Sequence, residues 1–167
     1  MSGEIRATTP ETTEDRREWV EFVRFPLGDH AYGLELGRVE QIVPDPDVTP
    51  VPQTGPAIAG VTNLGSEIPV VVDARALLGL TPGPDDAEPT LLVLDRDDDR
   101  PTGLLVEAVT GIDAHHVDTV AAPHEAAWDP PVGRRWFRAV VEDSERADRP
   151  IGVLDLDVVV DNARDQS

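Results

Sequence analysis

The stretch Ile58-Ala59-Gly60-Val61-Thr62-Asn63-Leu64-Gly65-Ser66-Glu67-Ile68-Pro69-Val70-Val71-Val72-Asp73-Ala74-Arg75-Ala76-Leu77-Leu78-Gly79-Leu80 decides the fold. Two apolar runs, Ile58 to Leu64 and Ile68 to Val72, flank the small polar turn Gly65-Ser66-Glu67, which is the pattern of a β-hairpin. Asp73 follows at once, placed to cap a short helix carrying Ala76, Leu77 and Leu78, and Gly79 ends it.

Outward from this unit the chain keeps the same grammar. Trp19 to Leu27 and Ala31 to Leu36 form a hairpin around Gly28-Asp29. Leu36, Val39, Ile42 and Val43 are spaced for a short helical turn that the prolines at 44 and 46 stop, and a proline-rich connection runs to Pro56. Leu91 to Leu94 and Leu104 to Ile112 read as strands around the acidic turn Asp95 to Thr102, after the loop Thr81 to Pro89. A polar stretch rich in Ala and Pro, Ala121 to Gly133, precedes strands at Trp136 to Val141 and Ile151 to Leu154, and Asp155 opens a terminal helix. Many short strands with few helices imply a mainly β protein, not an alternating α/β enzyme.

A loose internal repeat runs through these elements. Gly33-Leu34, Val39 and Val51-Pro52 have partners in Gly103-Leu104, Val109 and Val120-Ala121-Ala122-Pro123. Pro69 to Asp73 resembles Pro150 to Asp155, each leading from strand to helix, so two similar small barrels are expected.

Composition narrows the function. The 167 residues fit one domain. The termini read as disordered tails (1–18, acidic and polar, and 162–167), leaving the folded domain at 19–161. No cysteine is present, which excludes disulfides and thiolate metal sites. No signal-peptide apolar region is seen at the start and no apolar run could span a bilayer, so the expected location is cytoplasmic, without direct membrane insertion.

The 33 acidic residues outnumber 14 basic ones, all of them Arg, for a formal charge of -19. Such a polyanion repels nucleic acid and anionic lipid. Acidity interspersed with strong apolar segments points to a solvated acidic surface of haloarchaeal type, suited to a high-salt interior that screens self-repulsion.

The catalytic and metal readings fail on their own templates. His115 and His116 are neighbours on a strand and point to opposite faces, and no helical i, i+4 pair of ligands exists, so neither they with Asp113 nor His124 with Glu125 make a metal site. Asp95, Asp97 and Asp99 imitate a calcium loop, but Arg100 stands where Gly is required and Val106 where a bidentate Glu is required. There is no nucleophile elbow and no phosphate-cradling loop, and lysine is absent; an enzyme is not expected and no cofactor is implied. Of the three tryptophans, Trp19, Trp128 and Trp136, Trp128 among Ala and Pro is the one expected to be exposed.

The order of residues from Phe22 to Leu80 resembles the CheW family of chemotaxis adaptors. Phe25 to Leu34 is similar to the family's opening hairpin, Val39-Glu40-Gln41-Ile42 to its Val-Xaa-Glu-Ile turn, and Thr49-Pro50-Val51-Pro52 to its proline connection. Ile58 to Leu64 resembles its Gly-Val-Xaa-Asn-Leu strand, with Val71-Val72-Asp73-Ala74-Arg75 and Leu77-Leu78-Gly79 after it. Gly103 to Val109 and Val153-Leu154-Asp155-Leu156 extend the match to about Val160.

The resemblance implies two intertwined five-stranded SH3-like β-barrels with short helices. It also implies a non-catalytic adaptor that joins methyl-accepting chemoreceptors to the histidine kinase CheA at membrane-associated arrays. By the same resemblance Val39, Gln41, Ile42, Asn63, Gly65 and Ser66 are the partner-binding positions. Two of them depart from the family: Gln41 stands for Glu, and Gly65 for the Arg of Asn-Leu-Arg-Gly, so a pair of opposite charges is lost together. Losing both is near neutral for the fold, but it removes a guanidinium fork from the binding surface. Pro69, one place before the family's strand proline, leads one to expect an edge strand or bulge. The alternative is a divergent module of the same fold binding another signalling partner outside the standard array.

Overall fold

The computed structural model describes residues 18–83, 88–95, 100–144 and 149–166. Residues 1–17 of the expected N-terminal tail and four residues of the acidic turn, Arg96 to Asp99, lie outside them.

Among the described residues, twelve strands make two sheets. Strands β1 (Trp19–Leu27) and β2 (His30–Glu35) form the opening hairpin, and a 3-10 turn at Leu36–Arg38 leads to β3 (Val39–Pro44), β4 (Val48–Thr49), β5 (Ile58–Thr62) and β6 (Val70–Asp73). Helix α1 (Ala74–Leu77) follows, its N-terminus capped by Asp73, whose carboxylate accepts from the Ala76 N–H. Then come β7 (Thr90–Leu94), β8 (Thr102–Val106), β9 (Gly111–His116), β10 (Val120–Ala121), β11 (Phe137–Val141), β12 (Ile151–Leu154) and helix α2 (Leu156–Arg164), capped by Asp155. The first sheet runs β10-β11-β12-β2-β1-β9 and the second β3-β7-β8-β6-β5-β4.

Written in reverse, the second order superposes on the first, with β7 and β8 in the places of β1 and β2 and β3 to β6 in those of β9 to β12. The chain is therefore a duplication in which each repeat gives its first hairpin to one sheet and its other four strands to the other. The weak sequence repeat maps onto this. Gly33 pairs with Val153 in the parallel β2–β12 ladder, and Gly103 with Val71 in the parallel β6–β8 ladder. Val153 and Val71 each stand two residues before a helix-capping Asp. Even the link to the cap is repeated: the Asp73 N–H donates to Ala57 O (2.7 Å) and the Asp155 N–H to Trp136 O (2.8 Å).

Strand alternation sorts the core. In β7, Leu91 and Val93 fill a small core inside the second sheet with Val71, while Leu92 and Leu94 face a larger core shared by both sheets. Phe22, Val141, Ile151 and Val153 fill the first sheet's own core. Strands buried on both faces read as continuous apolar runs, and each fully buried Val or Leu contributes about 1.5–3 kcal/mol. The shared core takes residues from both sheets, among them Val23, Phe25, Tyr32, Leu92, Leu104 and Leu154, and holds them as one body.

Five expectations are corrected. Each sheet has six strands, not five, because the two-residue β4 and β10 pair at its margin. Val39 to Val43 is a strand and not a helical turn; a bulge at Glu40 puts Val39 and Ile42 on the shared core together and so imitates helical spacing. Leu104 to Ile112 is not one strand, since β8 stays in the second sheet and β9 crosses to pair with β1. Pro69 is buried just before β6, an inner strand between β5 and β8, and not on an edge. The boundary expected at 161 falls inside α2, which runs to Arg164 with Ala163 buried, and Gln166 bonds to the chain at Gly55 and Ala57.

Candidate functional site

Val39, Gln41 and Ile42 lie on β3, which among the described residues pairs with β7 alone and forms an edge of the second sheet. An edge strand offers unpaired main-chain donors and acceptors, a template for a partner strand. Val39 and Ile42 are half-buried against the shared core. Gln41 is exposed, yet it stands opposite Val93, so it shares the face of the second sheet's own core with Val43.

Asn63, Gly65 and Ser66 form the β5–β6 turn. The Gly65 N–H donates to Asn63 Oδ1 (2.8 Å) and the Leu64 N–H to Glu67 O (3.0 Å). Gly65 has φ +94°, a conformation in which any side chain is strained, although the space around it is open. Gly65 is thus a turn glycine, and any longer side chain at 65 would require the turn to change shape.

The two groups belong to one sheet and meet one core: Val43 beside Gln41 and Leu64 beside Gly65 both pack on Val71, Leu91 and Val93. No hydrogen bond or ion pair joins the two groups among the described residues. Ile68 (56% exposed), in the same connection, and Val51 (38% exposed), on the proline-rich link, are large apolar side chains left in solvent. Neither is a site residue by sequence, where Ile68 reads as the first residue of the strand; in the structure that strand begins at Val70, which leaves Ile68 in the turn.

A part-buried polar clasp ties the sheets together behind this face. Arg75, on α1, pairs with Glu107 and donates to Thr81 O (2.7 Å) through Nη1, and the Gly28 N–H at the β1–β2 turn reaches Glu107 Oε1 at 3.4 Å. Burial pushes the Tyr32 phenol up to about 12, partly offset by the Arg75 charge, and its hydroxyl has no partner among the described residues.

The histidines separate as alternation requires. His115 is buried and bonds Asp143 Oδ2 through Nδ1 (2.7 Å), while His116 faces Glu18 (3.6 Å) and Asp118 (3.4 Å) near the surface. His124 stands by Glu125 (3.6 Å) on an exposed loop. Among the described residues no three His, Asp or Glu side chains gather as a metal site would need. Trp128 is half-buried, edge-on to Phe137 (4.8 Å), so it is less exposed than expected. What the face offers is docking: an open strand edge, half-buried aliphatics and a fixed turn.

The chain matches the family model of the CheW-like domain over residues 21–164. It is similar to the chemotaxis protein CheW of Thermotoga maritima (28% identity over 101 residues, 60% of this chain and 66% of the relative). It is also similar to those of Treponema pallidum (24% over 128 residues, 74% of each) and Rhizobium meliloti (32% over 95 residues, 55% and 59%). It thus spans less than two thirds of the Thermotoga and Rhizobium relatives. The scaffolding protein TtCheW from Thermoanaerobacter tengcongensis has the same fold, with a TM-score of 0.71 at 20% identity over 81% of this chain and 88% of that one.

Proposed function

The chain belongs to the family of the CheW-like domain, and from that premise we propose that it is a non-catalytic adaptor coupling chemoreceptors to the histidine kinase CheA. The observation that carries this reading is the open edge of β3, with Val39 and Ile42 half-buried beside it and the Asn63–Ser66 turn on the same sheet. Val39, Gln41, Ile42, Asn63, Gly65 and Ser66 are the contact positions. With Gln41 and Gly65 in place of two charges, the contact is made by apolar side chains and main-chain hydrogen bonds, which salt does not screen.

That suits the composition. A chain with 33 acidic residues and no lysine fits a cell interior of high salt, and no helix among the described residues is long and apolar enough to cross a membrane. The adaptor works in the cytoplasm, at arrays anchored by the receptors. The divergent module outside the standard array gains nothing from the relatives named above, each of which is a chemotaxis protein.

The test is co-purification of the full chain with CheA and with a receptor cytoplasmic fragment in molar salt. Retention of both, lost in Ile42→Asp, is expected; elution of the chain without either partner would end the adaptor reading.

A further inference from the structure

Three of the fourteen arginines fall within the five residues Arg134 to Arg138, and all three are exposed. Carboxylates outnumber arginines more than two to one in this chain, so an exposed guanidinium is expected to meet one. Arg138 does, at 3.2 Å from Glu35. Arg134 and Arg135 pair with none among the described residues. Arg134 bonds the carbonyls of Pro123 and Trp128, neutral acceptors that leave its charge uncancelled. Arg135 lies over the Trp136 ring, 4.8 Å from the centroid to its guanidinium carbon.

Both side chains are held before any partner arrives. Arg134 is fixed by its two carbonyls, and Trp136 beneath Arg135 is only 6% exposed, packed in the shared core. Ordering a long side chain is one of the larger costs of association, and here it is already met. A stacked guanidinium keeps its N–H edge free for a planar two-oxygen acceptor. Arginine and tryptophan are also the residue types that dominate binding hot spots.

We propose that the Arg134–Arg135 corner above Trp136 is a docking point for a protein segment that presents one or two carboxylates. Charge decides the class of partner. A net charge of -19 repels an extended phosphate polymer or an anionic bilayer, whose many charges must approach the acidic remainder of the surface. One or two carboxylates need only the local field, which acts within a Debye length of about 8 Å at physiological ionic strength and less in stronger salt. The corner stands on the segment leading into β11 of the first sheet, whereas the contact positions proposed above stand on the second, so it does not depend on the adaptor reading.

The experiment titrates the isotopically labelled full chain with a short synthetic peptide that carries only two Glu among Gly residues and has both ends blocked, at the lowest salt in which the chain stays folded. Shifts are expected at the Arg134 and Arg135 side chains and the Trp136 indole. Arg135→Gln should weaken binding about fivefold, the upper range for one exposed ion pair, and Arg135→Glu should abolish it. Arg38→Gln, in the turn between β2 and β3, should change nothing. No binding, shifts without focus on this corner, or equal loss in Arg38→Gln would overturn the proposal. So would tighter binding of oligothymidylate or phosphatidylglycerol vesicles at the same residues.

Discussion

His115 Nδ1 and Asp143 Oδ2 stand 2.7 Å apart across the seam where the first sheet closes, with side chains 1% and 7% exposed. His115 is on β9, one edge of that sheet, and Asp143 follows β11, next to the other edge. The main chain reinforces the seam nearby, where the Glu142 N–H donates to Thr119 O (2.7 Å). Removing the imidazole takes one buried hydrogen-bond partner from the Asp143 carboxylate, in a site packed with Phe22, whose ring is 6.1 Å from that of His115. His115→Leu should therefore cost about 3 kcal/mol. Asp143→Asn keeps an oxygen to accept from Nδ1 and should cost about 1 kcal/mol. Urea unfolding checks both; equal losses in the two variants would refute the view that the lost hydrogen bond to the imidazole is the cause.

Tyr32, the one tyrosine of the chain, makes a direct optical report on the shared core. Its folded pKa, about 12, lies above the ordinary value of 10, so the folded state holds the phenol proton more tightly than the unfolded one. The resulting stabilisation is complete below about pH 10 and is lost as pH rises towards 12. Tyrosinate absorbance should appear near pH 12 and together with unfolding; a midpoint near 10 with the fold intact would contradict the burial. Because the hydroxyl lacks a partner among the described residues, Tyr32→Phe should raise stability at neutral pH by about 1 kcal/mol.

How far the sequence could be read follows from what each signal depends on. The hairpin at Ile58 to Val72 and the Asp73 and Asp155 caps were legible because turn chemistry and capping are local. The family resemblance implied Val39, Gln41, Ile42, Asn63, Gly65 and Ser66 as contact positions, but that three of them lie on an edge strand and three in a turn came from register. The bulge at Glu40 was hidden because it converts strand spacing into apparent helical spacing. The crossing between Val106 and Gly111 was hidden because apolar runs name no sheet. The His115–Asp143 seam is a contact between distant segments, and alternation told only that His115 and His116 face apart.

The repeat yields an asymmetry that can be measured. Gly33 and Gly103 are equivalent in register, yet a Cβ on Gly103 would meet Leu91 Cδ1 at 2.6 Å, whereas one on Gly33 would meet Ile151 Cγ2 at 3.1 Å. Gly103→Ala must displace a fully buried leucine and should cost about 3 kcal/mol; Gly33→Ala needs a shift of a few tenths of an ångström and should cost about 1 kcal/mol. Thermal unfolding of the two variants ranks them, and a reversed order would mean that the second sheet's core is the more yielding.

Salt should act on the whole molecule. With 33 carboxylates against 14 arginines, self-repulsion grows as screening is withdrawn. The melting temperature should fall steadily as sodium chloride is lowered from molar levels to about 0.1 M, where the Debye length reaches about 10 Å. A melting temperature independent of salt would refute the high-salt reading of the composition.

Gln166 holds the approach to β5 with two acceptors: its main-chain oxygen takes the Gly55 N–H (2.7 Å) and its Oε1 takes the Ala57 N–H (2.8 Å). Ala57 is fully buried and its own carbonyl accepts from Asp73, so the glutamine supports the residue that aligns the α1 cap. Gln166→Ala removes one acceptor and leaves the other. It should cost about 1–2 kcal/mol, the penalty for a buried N–H left unpaired. Amide exchange should quicken markedly at Ala57 and little at Gly55. Gly55→Ala attacks the same contact from the other side, since its Cβ would lie 2.6 Å from Gln166 Oε1, and should quicken exchange at Ala57 as well. If both amides exchange at wild-type rates in both variants, Gln166 does not hold this loop in solution.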